Sequence, residues 1–348
     1  MQKTPELRKP RVAKFDNAKA LLIFLVVFGH GIAPFLGTHA GKFLDLWMYS
    51  FHMPLFVFIG GLFAKRTVNS KPFDFLKFFS FIALHYFIKT IEYFAILGSG
   101  QKATFRWFFE KNVAWYIFVM ALHLLIAHLL RKINPMAVII GSFAAALAVG
   151  YIDCIEDTLM LSRVFVFFPL FYMGYAVDSN KLIEALDKKS LRILSVVILV
   201  AFTLITFFYT DELYKLRYLF TGNNPYYEFG DDWYPYGAIL RIIAYSVSIA
   251  VSLCFLVLIP KRHLPVITTI GSRSMSIYVF HRPLQHLMNG LFLVSALKGD
   301  NPKIIMLIIF GISVVLTLLL TLKIFEYILY PFTNSRKIWN GIKEKLAK

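Results

Sequence analysis

The chain has 348 residues, 58% hydrophobic and 17% aromatic, with Phe alone contributing 36. Soluble domains sit near about 45–50% apolar, so this composition, with a mean hydropathy of +0.64, excludes an ordinary soluble domain and indicates a polytopic membrane protein. The net charge of +17 lies at the ends of apolar segments rather than on one soluble face, which points to lipid headgroups and helix orientation rather than nucleic acid.

A membrane-crossing helix needs about 20 apolar residues. In chain order, ten candidate spans are predicted, at about 18–36, 43–64, 73–97, 112–130, 136–152, 160–177, 191–209, 238–259, 273–296 and 304–331. The connections are mostly short and no internal repeat stands out, so residues 1–348 read as a single all-α integral-membrane domain. Residues 1–17 form a basic tail. Lys and Arg concentrate in this tail, after the second, fourth, sixth and eighth spans, and in the C-terminal tail. That bias predicts both termini in the cytoplasm. The N-terminal run is similar to a signal peptide, but Lys19 and His30 within it and the many later spans argue against cleavage. Cys154 near a loop and Cys254 in mid-helix predict no disulfide.

The first span reads FDNAKALLIFLVVFGH over 15–30. His30 lies about 12 residues past Ala18, roughly 18 Å into the membrane at about 1.5 Å per residue. An ionisable group at such depth costs several kcal/mol unless paired or wetted, and an imidazole there can carry a proton near neutral pH. Asp16 and Lys19 mark the cytoplasmic end of the same helix. In the second span, His52 precedes Pro54, which frees a backbone carbonyl and predicts a bend. Gly60 and Gly61 permit a close helix approach. Lys65 and Arg66 follow at the cytoplasmic end, as a stop-transfer anchor or a clamp for an anionic group.

In the third span His85, Lys89 and Glu92 share one face, where Lys89 and Glu92 can neutralise each other. Arg163 is expected in the outer half of the sixth span, binding an anion or an acceptor hydroxyl, or snorkelling to the interface. The ninth span opens with Ser272, Arg273 and Ser274 and carries His281 deeper, before Pro283. His123 and His128 read as packing residues. The several membrane histidines permit haem pairs, but nothing in their spacing selects one. The loop 153–159 is acidic. The loop of about 210–237 is rich in Tyr and Trp, including Trp233 and Tyr234. It is too aromatic for disorder, and is either an interface lid or a set of sugar-stacking platforms.

Five pieces taken together carry a resemblance: FDNAKALLIFLVVFGH (15–30), YSFHMPLFVFIGGLFAKR (49–66), WYIFVMAL (115–122), SRVFVFFPLFYMGYAVD (162–178) and IGSRSMSIYVFHRPL (270–284). In this order, over nearly the whole chain, they resemble the membrane acyltransferase 3 family, and within it the fucose 4-O-acetylase-like branch. The resemblance implies transfer of an acyl group, usually acetyl, from cytoplasmic acyl-CoA to a hydroxyl of a glycan or glycolipid in the cell envelope. His30 matches the family's essential first-helix histidine, and Lys65 and Arg66 match its basic pair. Many members carry arginine where this chain has Lys19; lysine keeps the charge but loses the planar fork.

The expected site therefore has His30 as base or acyl-accepting nucleophile, with Arg163, His52 and Glu92 beside it. Lys19, Lys65, Arg66 and Arg273 would hold acetyl-CoA at the inner mouth, and Trp233, Tyr234 and His281 would meet the acceptor. No metal is required. The expected partners are membrane lipid and a glycan or lipid-linked sugar acceptor, with homo-oligomerisation left open and no nucleic acid. The expected location is a cell membrane of bacterial plasma-membrane type. The alternative is a transporter or exporter of a glycan or small polar solute, which buried ionisables and broken helices suit equally.

Overall fold

A computed structural model describes residues 13–110, 112–152, 155, 158–290 and 301–346. The expectations resting on residues 1–12, Lys111, Asp153, Cys154, Glu156, Asp157, residues 291–300 and Lys348 lie outside these. The described residues are all-helical, without a strand. Helices of eight or more residues are α1 Ala13–Ile32, α2 His39–Tyr49, α3 His52–Leu62, α4 Phe75–Gly98, α5 Trp115–Leu130, α6 Pro135–Ala148, α7 Leu161–Ala176, α8 Ser179–Leu186, α9 Lys189–Phe208, α10 Gly237–Leu258, α11 Pro265–Ser272, α12 Ser274–Gly290, α13 Pro302–Leu319, α14 Lys323–Thr333 and α15 Ser335–Leu346.

Five segments are long and apolar enough to cross a membrane: Ala13–Phe35, His39–Leu62, Phe75–Gly98, Lys189–Phe208 and Tyr234–Leu258. Two bent pairs raise this to seven, α7 with α8 at 91° and α13 with α14 at 63°. The shorter α5 and α6 are also apolar. The predicted second span is broken between α2 and α3, just before Pro54. Proline lacks an N–H, so its ring is tolerated in the first turn of a new helix but not inside a continuous one.

α1 is the central element. Leu22, Ile23, Val27 and Ile32 on it are fully buried, and it packs against α3, α11, α12 and α13. Its polar N-terminus is sewn to the segment before α11. Lys14 Nζ donates to the Ile259 carbonyl at 2.7 Å, and Asn17 Nδ2 donates to the Pro260 and Arg262 carbonyls, each at 3.0 Å.

α3 crosses α7 at the distance only glycine permits. A Cβ on Gly61 would stand 2.0 Å from the Phe171 carbonyl oxygen, and one on Gly174 would stand 2.1 Å from that of Phe58. Each helix thus places a glycine where the other's backbone arrives.

The 210–237 loop is structured rather than open. It forms helical turns at Thr210–Leu213 and Arg217–Thr221 and 3-10 turns at Tyr226–Phe229 and Tyr234–Tyr236. Its anchor is Tyr226, fully buried, whose ring packs where a Cβ on Gly150 or Gly237 would clash at 2.3 and 2.2 Å. Its hydroxyl donates to the Leu147 carbonyl at 3.0 Å. The Arg241 guanidinium lies 4.6 Å over its ring. That arginine donates to the Ala146 and Asn224 carbonyls at 3.0 and 3.2 Å.

Two outcomes are expected. Gly61→Ala should destabilise the protein by about 1–3 kcal/mol through backbone overpacking, whereas Gly141→Ala, with open space around its Cβ, should be neutral or slightly stabilising; thermal unfolding in detergent reads the difference. Gly237→Ala should expel Tyr226 and loosen the loop, seen as faster proteolysis within 210–237 while the rest of the chain stays resistant.

Candidate active site

Two cavities lie along α1. The inner one, so named for lying beside the N-terminal half of α1, has a volume of about 250 Å³ and is lined by Lys19, Ile23, Val26, Met53, Gly60 and Tyr278, together with Ser272 and Ser274. Asp16 fixes its cation by pairing with Lys19 at 2.7 Å, one turn away. The outer cavity, of about 330 Å³, is bounded by His30, Tyr49, His52, Arg163, Asn224 and Tyr278. Val26, Met53 and Tyr278 line both cavities. A helix advances about 1.5 Å per residue, so Lys19 and His30 stand roughly 16 Å apart along α1, at opposite ends of this paired space.

The His30 ring faces that of His281, with centroids 5.4 Å apart and planes inclined by 36°. His281 is fully buried. Its Nδ1 lies 2.8 Å from the Tyr278 carbonyl and 3.1 Å from that of Ile277. A carbonyl only accepts, so this nitrogen carries the proton and Nε2 holds the lone pair. Among the described residues that Nε2 has no hydrogen-bond partner. His52 follows the same rule: its Nδ1 donates to the Met48 carbonyl at 2.6 Å, leaving Nε2 as the acceptor. Its ring stands edge-on to Tyr49 at 4.9 Å.

Arg163 is buried at the outer cavity. Its guanidinium donates to the Glu110 carbonyl at 3.1 Å and the Thr221 carbonyl at 3.4 Å, and lies 4.8 Å over the Trp115 ring. It is held inside the protein rather than snorkelling. Asp45 and Arg217, also on this cavity, form an ion pair at 3.2 Å that Tyr214 joins through its hydroxyl.

The charged face of α4 pairs differently from the expectation. Lys89 meets Glu110 at 3.2 Å and donates to the Arg106 and Phe109 carbonyls at 2.6 and 2.7 Å. Glu92 instead meets His286 at 3.3 Å and Arg282 at 4.0 Å. Arg282 in turn donates to the His30 carbonyl at 3.4 Å, so Glu92 reaches His30 only through Arg282. Burial pushes the Glu110 carboxyl above its ordinary value, against the downward pull of Lys89.

The structure thus gathers His30, His52 and Arg163 on one cavity, sets His281 behind His30, and puts Lys19 at the inner end. It does not gather the others. Arg273 is drawn away to Glu326 at 3.1 Å and the Thr321 carbonyl at 2.7 Å. Lys65 and Arg66 follow α3 in a short helix, Lys65–Val68, off both cavity walls. Trp233 is exposed, and Tyr234 packs edge-on to Tyr151 at 5.4 Å; from the aromatic loop it is Arg217, Tyr218 and the 220–224 turn that face His30. The sequence reading missed Tyr278, Asp45 and Arg282. Arg282 carried a signal, a charge beside His281 inside an apolar segment. Among the described residues, no group of three or more His, Cys, Asp or Glu side chains is gathered to hold a metal.

Residues 12–325 match the family model described as an acyltransferase domain. No curated protein and no solved structure matches the chain. That match spans most of this helical chain, including the residues around the histidine-lined cavity, and the chain belongs to the acyltransferase 3 family.

Proposed function

We propose that this protein is a transmembrane O-acyltransferase that moves an acetyl group from cytoplasmic acyl-CoA to a hydroxyl of an extracytoplasmic glycan or glycolipid. The observation that carries this reading is the pair of cavities sharing Val26, Met53 and Tyr278, with Lys19 at one end and His30 at the other. A charged nucleotide stays out of lipid, while a pantetheine arm suits a narrow apolar duct. Lys19, Lys65 and Arg66 would attract the nucleotide phosphates, with Arg273 a weaker contributor because Glu326 already holds it. Ten crossings with both termini inside fit this arrangement: the five long spans, the two bent pairs, α5, α6 and α12.

In the reaction, the acceptor hydroxyl gives its proton to a neutral His30 nitrogen as its oxygen attacks the thioester carbonyl. The tetrahedral intermediate collapses, the carbon–sulfur bond breaks, and the departing thiolate takes the proton back from the imidazolium. The ester and free CoA are the products. His281 and His52 flank this centre with their protons committed to backbone carbonyls. Arg163 contributes fixed positive charge near the developing oxyanion. Donor carbonyl and acceptor oxygen meet at His30 once the side chains of Val26, Met53 and Tyr278, which the two cavities share, move aside, and the direct route then needs no acetyl-histidine intermediate.

Replacing His30 with Ala should lower acetyl transfer by about 10²–10⁴-fold, the usual worth of a positioned base, while the fold and detergent stability persist. Mass spectrometry of surface glycans from cells carrying the intact and His30→Ala genes reads it: the intact gene adds acetyl groups that the variant does not. Glycans of identical mass in both would end this reading. Labelled CoA should not exchange into acetyl-CoA when the acceptor is omitted; rapid exchange would instead identify acetyl-His30. The double variant Lys65→Ala/Arg66→Ala should raise KM for acetyl-CoA about 10-fold, the loss of one or two charge-assisted contacts, with kcat little changed.

A further inference from the structure

A third cavity, of about 330 Å³, lies against α4 and the loop that follows it. Resting on the acyltransferase reading, we propose that this cavity is a second acceptor subsite, holding the neutral, hydroxyl-rich sugar ring next to the one acylated at His30. Its position supports this. Asn112 lines both this cavity and the one containing His30. On either side of Asn112 the backbone is pinned, the Glu110 carbonyl taking Arg163 and the Val113 carbonyl taking the Tyr278 hydroxyl. A glycan can therefore lie over Asn112 with one ring in each space.

The lining has the chemistry of a sugar site. Glu92 and Glu110 are buried, at 2% and 5% exposed, and both border the cavity. A carboxylate offers about four lone-pair sites. Glu92 receives both His286 and Arg282 on Oε1. Glu110 takes the Asn112 N–H on Oε1 and Lys89 on Oε2. Each keeps accepting capacity for hydroxyl groups. Tyr93 and Phe105 meet edge to face, with centroids 6.0 Å apart and planes at 83°, and form an angled apolar wall suited to the C–H face of a pyranose.

Charge selects a neutral ring. In the lining Lys89 and Arg106 balance Glu92 and Glu110; Lys89 is already bound by the Arg106 and Phe109 carbonyls, and the Arg106 guanidinium lies 5.2 Å over the Phe109 ring. An anionic sugar would have to compete with these oxygens for the ammonium. The volume lies at the lower end of the roughly 300–1,000 Å³ seen for small-ligand sites, which fits one or two rings rather than a long chain.

The test uses the full-length protein in detergent with acetyl-CoA. The acceptors are oligosaccharides released from the source cells' envelope and fractionated by length. The readout is the ratio of kcat/KM for fractions of two or more sugars to that for single sugars. The subsite predicts a ratio well above one for the unaltered protein. Tyr93→Ala with Phe105→Ala should lower that ratio about 10-fold, mainly through KM. Thr104→Trp, which fills the cavity from an exposed loop position, should lower it equally and guards against misfolding of the double variant. Activity with a ratio that none of these changes moves would overturn the subsite while leaving acyl transfer standing. Absence of any acceptor-dependent CoA release from the unaltered protein would overturn acyl transfer and the subsite together.

Discussion

Cations buried in a membrane protein need oxygen atoms, and here backbone carbonyls supply most of them. Lys14, Lys89, Arg163, Arg241, Arg273 and Arg282 each donate to at least one main-chain carbonyl of another segment. These carbonyls belong to helix ends and loops, where no helical N–H claims them. A charge that would be costly in lipid thereby becomes a fastener between elements remote in sequence. Arg163 joins α7 to the loops at Glu110 and Thr221, Arg241 joins α10 to the end of α6 and to Asn224, and Arg282 joins α12 to α1. The walls around His30 are held largely by these contacts.

The same constraint explains how much could be read before the structure. Apolar length and the break before Pro54 are local properties, and the pattern along the chain carries them. Pairing is not local. Lys89 and Glu92 share a helix face, so their mutual neutralisation was a sound expectation from spacing. The loop after α4 brings Glu110 back to Lys89, and α12 brings Arg282 and His286 to Glu92. A single chain read in order has no signal for which distant carbonyl or carboxylate will arrive. The aromatic loop fails to read for a related reason. Its rings look equivalent in sequence, yet Tyr226 is an anchor between two glycines, Tyr218 faces His30 and Trp233 is exposed.

The histidines divide by which carbonyl their bonded nitrogen meets. His85, His123 and His128 each reach a carbonyl of a neighbouring segment and serve packing. His52 and His281 bond carbonyls within their own local backbone and stand at or behind the outer cavity. Their Nδ1 protons are committed, which makes each a lone-pair donor toward the centre rather than a proton source. Of the three histidines nearest the centre, His30 is partly exposed while His52 and His281 are buried, and a ring meant to exchange protons with a passing ligand needs that freedom.

The glycine crossing of α3 and α7 has a mechanical consequence. His52 rides on one of these helices and Arg163 on the other. Since each backbone is seated in a notch of its partner, the two can neither slide nor separate without losing contact along their whole seam, and they travel as one rigid strut. Any rocking that exposed the central space alternately to either face would have to leave that strut intact. The 217–224 turn is held by side-chain contacts at Arg217, Thr221 and Asn224 rather than by interlocked backbones, so admission of a large ligand is a matter of releasing a local latch above a fixed floor.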